Sequence, residues 1–414
     1  MKEQHHWPRT GAGQRVAPLR TGRFAGGVVV ALLFMGSSLL TPLYELYRSI
    51  YGLNALGLTL LYAVYVIGNL AALLFFGRLS DQVGRRPTVL VGLALAALST
   101  LVFLVAGSIG WLFAGRVISG CAVGIGSGAA TAWITESTPK ERRPLAASTM
   151  TAFNFAGLML GPVVAGALVQ YAPWPQRLSF AVYLGLIAVV VLLVLAARET
   201  LDRAGAERLS LRPRLGVPAG ARLAFVAPAA AGFAAMATVG YYAALGPTML
   251  HQAVSVTNHA LSGAIVAELF AIAAIVIMLT RSMDPRRALL AGLTVAPFGL
   301  AALVAAQAWA SLPLMLVGTT LCGIAAALSY RGGLGMVNAL APPDRRAELA
   351  STYFICCFVG NALPIVGVGA LSERLGAATA DRIFALGLSI LAACALGAAL
   401  LFRGEDDARR KRSA

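Results

Sequence analysis

Long apolar runs separated by short charged segments are the main pattern along the chain. A helix that crosses a membrane needs about 20 mostly apolar residues, because the hydrocarbon core of a bilayer is about 30 Å thick. The runs exceed the strands of about 10 residues that build membrane barrels, and they do not alternate in polarity, so helices are favoured. The pattern predicts twelve spans, at residues 24–47, 55–77, 88–107, 110–135, 145–169, 178–197, 223–248, 259–280, 287–308, 311–336, 347–371 and 381–402.

Composition excludes a soluble protein. Hydrophobic residues make up 58% of the 414 positions and charged residues 12%, whereas soluble domains carry about 25% charged residues. A soluble core could not bury so much apolar surface. We therefore expect an all-α polytopic membrane protein whose helices satisfy their own backbone hydrogen bonds.

Charge orients the predicted spans. With the N-terminus in the cytoplasm, 28 of the 33 lysines and arginines fall on the cytoplasmic side and 4 on the other side. Cytoplasmic loops carry such an excess, so both termini are predicted to be cytoplasmic in a cell membrane. The formal net charge of +16 is interpreted as topology and attraction to lipid headgroups, not as nucleic-acid binding. The N-terminal segment lacks the apolar core of a signal peptide.

A repeat divides the chain in two. The segment PKERRPLAAST begins at Pro139 and PPDRRAELAST begins at Pro342, an offset of 203 residues. The same offset carries Asp81 onto Asp284, and two landmarks with one offset indicate a duplicated six-helix unit. The predicted units are a cytoplasmic tail at 1–22, a six-helix bundle at 23–198, a cytoplasmic linker at 199–222, a second six-helix bundle at 223–403 and a cytoplasmic tail at 404–414.

The sequence contains little that indicates an enzyme or a cofactor-binding protein. The five cysteines lie in predicted spans and are interpreted as packing residues. His5 and His6 are too few for a metal site, and no cofactor is expected. The P-loop pattern G-x-x-x-x-G-K-S/T is absent. GIGSG at 124–128 resembles a nucleophile elbow only loosely, because it lies inside a span and His251 and His259 merely flank a loop. The protein is predicted not to be an enzyme.

Three motifs carry a resemblance to a known family. Two parallel six-helix repeats with a substrate site at their interface are a recurring transporter design. The segment FFGRLSDQVGRRP after span 2 matches the pattern G-x-L-x-D-x-x-G-R-R through Gly77, Leu79, Asp81, Gly84, Arg85 and Arg86. Span 4 matches R-x-x-x-G through Arg116 and Gly120. Span 5 contains GLMLGPVVAG, with Gly157, Gly161, Pro162 and Gly166, and with Ala165 in place of one glycine of the pattern. From about residue 23 to residue 403 the chain resembles the major facilitator superfamily of secondary transporters.

The resemblance implies a cytoplasmic latch between the two halves. In a family-like packing Asp81 would lie near the cytoplasmic start of span 11. A carboxylate near a helix N-terminus contributes about 0.3–1 kcal/mol when exposed and up to about 2 kcal/mol when partly buried. Arg85, Arg86 or Arg142 would join its network. The alternative is that the arginines only fix the topology.

The span 5 motif can also be interpreted without the family. Small residues four positions apart allow two helices to approach closely. Pro162 removes one backbone hydrogen bond and can kink the helix. Such a helix suits an interface that rocks or bends, and in the family this pattern is associated with exporters of the antiporter type.

Ionisable groups within spans are costly and usually functional, and three of them are taken as candidates for the site. Glu268, near the middle of span 8, is the best candidate for proton coupling or for binding a cationic substrate; the alternative is a carboxyl group bonded to a neighbouring helix. Glu45 lies toward the outer end of span 1, where simple exposure is the alternative. Arg116 resembles the span 4 arginine that the family links to proton transfer, and it would pair with a carboxylate or contact an anionic substrate group. Further candidate cavity residues are Ser37, Thr41, Tyr44, Asn154, Tyr241, Tyr242 and Asn361.

These features predict a secondary-active transporter that works by alternating access. The favoured version is proton-coupled efflux of a small, partly hydrophobic molecule by a monomer. One alternative is proton-coupled uptake of a small metabolite such as a sugar or organic acid. An alternative of a different class is a transport-inactive membrane sensor.

Overall fold

The computed structural model describes residues 16–77, 79–139, 143–199, 215–254, 257–342 and 345–412. Within these ranges twelve helices are long and apolar enough to cross a membrane, and no residue is in a strand. The predicted all-α fold with twelve spans is therefore confirmed. Arg142 and most of the predicted linker lie outside the described residues.

Fourteen α-helices are present in the described part of the chain. They are α1 Val16–Ser38, α2 Leu43–Tyr51, α3 Ala55–Phe76, α4 Leu79–Val83, α5 Arg85–Leu104, α6 Ile109–Glu136, α7 Arg143–Tyr171, α8 Leu178–Ala196, α9 Arg222–Val254, α10 His259–Leu279, α11 Pro285–Ala308, α12 Leu312–Leu340, α13 Arg346–Leu375 and α14 Ala377–Arg412. The first span combines α1 and α2, and α4 is a short helix in the loop after α3.

The first span is broken near its end. Pro42 has no backbone N–H, so it cannot donate to the carbonyl of Ser38 four residues earlier, and α1 ends there. After a short turn the chain enters α2 at Leu43. The Thr41 N–H bonds the Ser38 carbonyl at 3.1 Å instead of the Ser37 carbonyl that a continued helix would use.

The two parts of the chain pack their helices in the same pairs. In the N-terminal half, α1–α8, the contacts join α5 to α6, α3 to α6 and α1 to α7. In the C-terminal half, α9–α14, the equivalent spans α11 and α12, α10 and α12, and α9 and α13 pack together. Between the halves, α3 packs on α13 and α7 packs on α10. This pairing accords with the sequence repeat, while the exact domain boundaries stay a prediction.

The bundle has two ends. Successive spans run in opposite directions, so the ends of the second, fourth and eighth spans lie on the same side of the bundle as the start of the first span and the end of the twelfth. We call this the terminal end, which the charge pattern predicts to be cytoplasmic. We call the opposite end, with the loops at 52–54 and 309–311, the distal end.

Candidate functional site

Three tyrosines surround the arginine of the fourth span. Arg116 on α6 is fully buried. Its guanidinium carbon lies 5.4, 5.9 and 5.1 Å from the ring centroids of Tyr44, Tyr62 and Tyr65. A cation within about 6 Å of a ring centroid is attracted to the negative face of the ring. We call these three residues the tyrosine cage.

Hydrogen bonds from the broken first span hold the guanidinium. One Nη atom of Arg116 donates to the Ser37 carbonyl oxygen at 3.0 Å, and the other donates to the Tyr44 hydroxyl. The Ser37 carbonyl is available because α1 ends at Ser38. The Nε atom of Arg116 is buried without a partner. Within the described ranges no ion pair includes Arg116, so in this conformation tyrosines and a carbonyl group, rather than a carboxylate, hold its charge.

The tyrosine cage reaches the C-terminal half of the protein. The Tyr62 hydroxyl on α3 donates to Oδ1 of Asn361 on α13 at 2.8 Å. Nearby, the Thr248 hydroxyl on α9 donates to Glu45 on α2 at 3.1 Å, and Arg48 lies 3.9 Å from the same carboxylate. The candidate residues of the first, fourth and eleventh spans therefore lie close to one interface between the halves.

Glu268 lies in the C-terminal half between α10 and α12. The Thr320 hydroxyl donates to its Oε1 at 2.7 Å, while its Oε2 is buried without a partner. Beside Thr320 on α12, Thr319 accepts a hydrogen bond of 3.1 Å from the Tyr242 hydroxyl on α9. This geometry is compatible with both interpretations of Glu268. One carboxyl oxygen bonds a neighbouring helix, and the other is buried without a partner and is available to bind a proton or a cation.

The remaining candidate cavity residues are scattered. Thr41 is buried at the break in the first span, and Asn154 is half-buried on α7. Tyr241 is buried and stacks on Phe384, with ring centroids 4.8 Å apart. Glu268 belongs to the C-terminal half and the tyrosine cage to the N-terminal half, so the structure does not bring all the candidates into one cluster.

The span 5 motif lies where the halves meet. On α7, Gly157 and Gly161 face α1, and Gly166 faces α10. A Cβ atom on Gly166 would lie 2.6 Å from a backbone carbonyl oxygen of α10, and a Cβ atom on Gly263 of α10 would lie even closer to the carbonyl oxygen of Pro162. Only residues without a side chain permit this backbone approach. The motif therefore forms the crossing of α7 and α10.

The loop after the second span is held together within the N-terminal half. Asp81 on α4 pairs with Arg85, the first residue of α5. The buried Arg85 guanidinium also pairs with Glu136 at the end of α6, at 2.7 Å, and donates to the Ser80 hydroxyl at 2.6 Å. The Asp81 side chain is 56% exposed. Its contact with the start of span 11 stays a prediction, because in this conformation its partner is Arg85.

A carboxylate from the end of the sixth span caps α5. The two carboxylate oxygens of Glu199 accept the backbone N–H groups of Arg85 and Arg86 at 3.1 and 2.9 Å. Gly84 just before them has a φ of 112°, which a residue with a side chain adopts only with strain. Gly77 ends α3, and Leu79 begins α4. The motif thus fixes a sharp turn between the second and third spans.

Two carboxylates outside the sequence-based candidates also stand out. Glu373 at the end of α13 accepts the backbone N–H of Ala55, at the start of α3, at 2.8 Å. Asp381 on α14 is 9% exposed and accepts a hydrogen bond of 2.9 Å from Gln307 on α11. The sequence placed Asp381 at the edge of a span, but α14 begins at Ala377 and encloses it. Gly376 separates the last two apolar runs. A last span that is taken to begin directly after Gly376 would have enclosed Asp381.

The sequence is similar to a known protein family and to two proteins named for drug resistance. Residues 27–283 match the family model of the Major Facilitator Superfamily. The chain is 28% identical over 166 residues to the Quinolone resistance protein NorA of Staphylococcus aureus, covering 40% of this chain and 42% of that protein. It is 28% identical over 149 residues to the Multidrug resistance protein MdtL of Klebsiella pneumoniae, covering 36% of this chain and 38% of that protein. The chain thus matches about two fifths of the length of these curated relatives.

Two solved structures share the fold over nearly the whole chain. A bacterial homolog of the human lysosomal transporter Spinster, inward-facing and unoccupied, has a TM-score of 0.72 at 15% identity and covers 95% of this chain and 99% of its own. The nucleoside transporter NupG has a TM-score of 0.72 at 14% identity and covers 91% of this chain and 99% of its own. At such low identity the likeness shows the fold alone. Because the family model matches more than half of the chain, the protein belongs to the Major Facilitator Superfamily.

Proposed function

We propose that this transporter exports a small, partly hydrophobic molecule in exchange for protons, by alternating access between its two halves. It works as a monomer in the cell membrane, with the terminal end in the cytoplasm. The observation that carries the proposal is Glu268, a carboxyl group within a span that has one oxygen bonded to Thr320 and one buried oxygen without a partner. A carboxyl group in that position can take up and release a proton without moving its neighbours, because one oxygen keeps its hydrogen bond while the other gains or loses the proton.

Arg116 supplies the second charge of the proposed site. It is buried in the tyrosine cage with one N–H group unused. An ionised group inside the membrane is costly, and here only tyrosine rings, one hydroxyl and one carbonyl group stabilise the guanidinium. Because none of these partners carries a full negative charge, the guanidinium can exchange them for an anion during the cycle. We propose that it contacts an anionic group of the substrate or a carboxylate in another conformation, with Glu45 as the nearest carboxylate along the chain from the cage.

The rocking motion would use the crossing of α7 and α10. The bare backbones at Gly166 and Gly263 provide a smooth contact at the distal end. We propose that the halves pivot there while the terminal end opens and closes. In the conformation closed at the terminal end, Asp81 would leave its exposed position and bind near the start of α13, with Arg85 and Arg86 as parts of the latch.

Export of a hydrophobic compound is favoured over uptake by two observations. The helix 5 pattern is the one associated with exporters in the family, and two relatives are named a quinolone resistance protein and a multidrug resistance protein. A hydrophobic substrate is further supported by the tyrosine cage around Arg116, because aromatic walls suit flat, partly apolar ligands.

Transport by the purified protein tests the coupling. The full chain is reconstituted into liposomes, and a proton gradient is imposed with ethidium and a fluoroquinolone as probes. Wild type should move at least one probe against its gradient. Glu268→Gln, which cannot ionise, should lose the dependence of transport on the proton gradient.

A matched control removes a carboxylate elsewhere. Asp284 caps α11 by accepting the backbone N–H of Arg287 at 3.0 Å, and Asp284→Asn keeps a good cap. This control should retain the gradient dependence of wild type. Gradient-driven transport by Glu268→Gln with an unchanged pH profile would contradict the assignment of Glu268. Deletion of the gene should raise cellular accumulation of an exported probe, whereas lower accumulation would indicate uptake.

A further inference from the structure

A second buried carboxyl group lies in the C-terminal half, away from Glu268. Asp381 is near the start of α14, at the distal end, and is 9% exposed. Its Oδ2 accepts the Gln307 side-chain N–H at 2.9 Å. Within the described ranges no ion pair includes Asp381. An ionised carboxylate that is buried without a cation is costly.

The amide beside Asp381 has an unused acceptor. The Oε1 atom of Gln307 is buried without a hydrogen-bond partner. An ionised carboxylate can only accept hydrogen bonds, whereas a protonated carboxyl group also donates one. A neutral Asp381 can therefore accept from the amide N–H and donate to the amide oxygen, which satisfies both partners of the pair.

We propose that Asp381 and Gln307 form a second proton-binding site, in which the bound proton is shared between the carboxyl group and the amide oxygen. Uptake of a proton from water at the distal end forms the O–H bond of the Asp381 carboxyl group, and this O–H donates a hydrogen bond to Gln307 Oε1; release breaks both and returns the proton to water. The site is independent of the assignment of Glu268, because none of its observations involves that residue.

The groups around the pair determine how the proton is held. From α9, the Tyr241 hydroxyl lies within hydrogen-bonding reach of the Asp381 carboxyl group and of the Gln307 amide, and it also lies 3.2 Å from the Met249 sulfur. From α11 the facing group is the neutral Gln307. On α14 itself, Arg382 is the next residue and is exposed. From α13, which also packs on α14, no charged side chain pairs with Asp381 within the described ranges.

Tyr241 gives the site a route to the rest of the C-terminal half. Its neighbour Tyr242 bonds Thr319, and Thr320 bonds Glu268. The rings of Tyr241 and Tyr242 lie edge to face, with centroids 6.2 Å apart. Protonation of Asp381 changes its contact with Tyr241 and would thereby influence the position of α9, the first helix of the C-terminal half.

Infrared spectroscopy of the full-length purified protein tests the site. A neutral carboxyl group has a carbonyl band separate from that of a carboxylate, so titration from acid to alkaline pH counts the groups that stay neutral. At pH 7 wild type should show one more neutral carboxyl group than Asp381→Asn. The control Asp284→Asn removes an exposed carboxylate and should leave the neutral band unchanged at pH 7.

The remaining outcomes separate the proposal from its rivals. An equal neutral band in wild type and Asp381→Asn would overturn it, because Asp381 would then be ionised. Loss of the wild-type band on adding NaCl at constant pH would overturn it in favour of a metal cation. If Asp381→Asn does not fold, Gln307→Met replaces it as the variant. It should shift the frequency of the neutral band, since the band's hydrogen-bond partner is gone, and an unshifted band would overturn the sharing of the proton.

Discussion

The two ends of the helix pair α3 and α13 are held in different ways. At the distal end the contacts cross between the halves: Glu373 caps the start of α3 at Ala55, and further along the pair Tyr62 bonds Asn361. At the terminal end Asp81 pairs with a residue of its own half. Among the described residues, the difference indicates a conformation closed at the distal end, in which Asp81 stabilises a loop of its own half.

The contact at the distal end has the form that the family resemblance predicts for the terminal end. Glu373 is a carboxylate at a helix N-terminus of the opposite half, which is the role that the family resemblance gives Asp81 at the other end. Such a contact is weak enough to break repeatedly. If Asp81 binds the start of α13 as proposed, the protein would exchange one carboxylate cap for the other as its halves rock.

Distances between spin labels report which end is closed. Gly107 and Trp309 lie at the distal end of the N-terminal and C-terminal halves, and both positions are exposed. A Cβ on Gly107 would meet nothing within 4 Å, and Trp309 is 72% exposed. Labelled cysteines at these two positions, in a chain without its native cysteines, give the distal distance used below.

The largest effect is expected for Gly166→Leu. Its side chain would run into the backbone of α10, which cannot move without separating the halves. Overpacking of this kind costs about 1–3 kcal/mol or more, so the distal distance should lengthen and transport should fall at least 10-fold. The control is Gly367→Leu on α13, where a Cβ would meet nothing within 4 Å. An unchanged distal distance in Gly166→Leu would show that this crossing does not hold the distal end closed.

Tyr62→Phe tests the hydrogen bond that joins the tyrosine cage to the other half. The ring stays over Arg116, but buried Oδ1 of Asn361 loses its donor, which costs about 1–3 kcal/mol. The distal-closed population should fall about 5-fold or more in the spin-label distances. The control Tyr51→Phe removes a hydrogen bond to the Ala106 carbonyl within one half and should leave the population unchanged. Equal effects of the two variants would mean that general stability, not the interface, is being measured.

Much of the fold was predictable, because charge bounds each apolar run closely. The second span was predicted at 55–77 and observed at Ala55–Phe76. The site was less predictable. Tyr62 and Tyr65 stand in an apolar run like ordinary core aromatics, and only the packing of α3 on α6 places them around Arg116. Asp381 was missed because a predicted boundary fell on it, and a shift of four residues separates a surface carboxylate from a buried one.

A smaller effect is expected for Glu373→Ala. Loss of a helix cap costs about 0.5–2 kcal/mol, so the distal-closed population should fall a few-fold. Glu373→Gln keeps an acceptor for the Ala55 N–H and should recover part of the loss, with the rest assigned to charge. Arg374→Ala changes the neighbouring exposed residue and serves as the control. If Arg374→Ala opened the distal end as much as Glu373→Ala, the cap would not be the cause.

The smallest effect on this conformation is expected for Asp81→Asn. Its side chain is 56% exposed, and the buried Arg85 keeps its pair with Glu136 after the substitution, so thermal stability should change little. A latch that forms only when the terminal end closes would nevertheless be lost, and the distal-closed population should rise by a factor of about 2–5 while transport falls. Asp284→Asn, its counterpart in the repeat, keeps the cap of α11 and should change neither quantity. If populations and transport were unchanged in Asp81→Asn, the motif would only fix the topology and stabilise its own loop. The two ends of the helix pair would then not share a function.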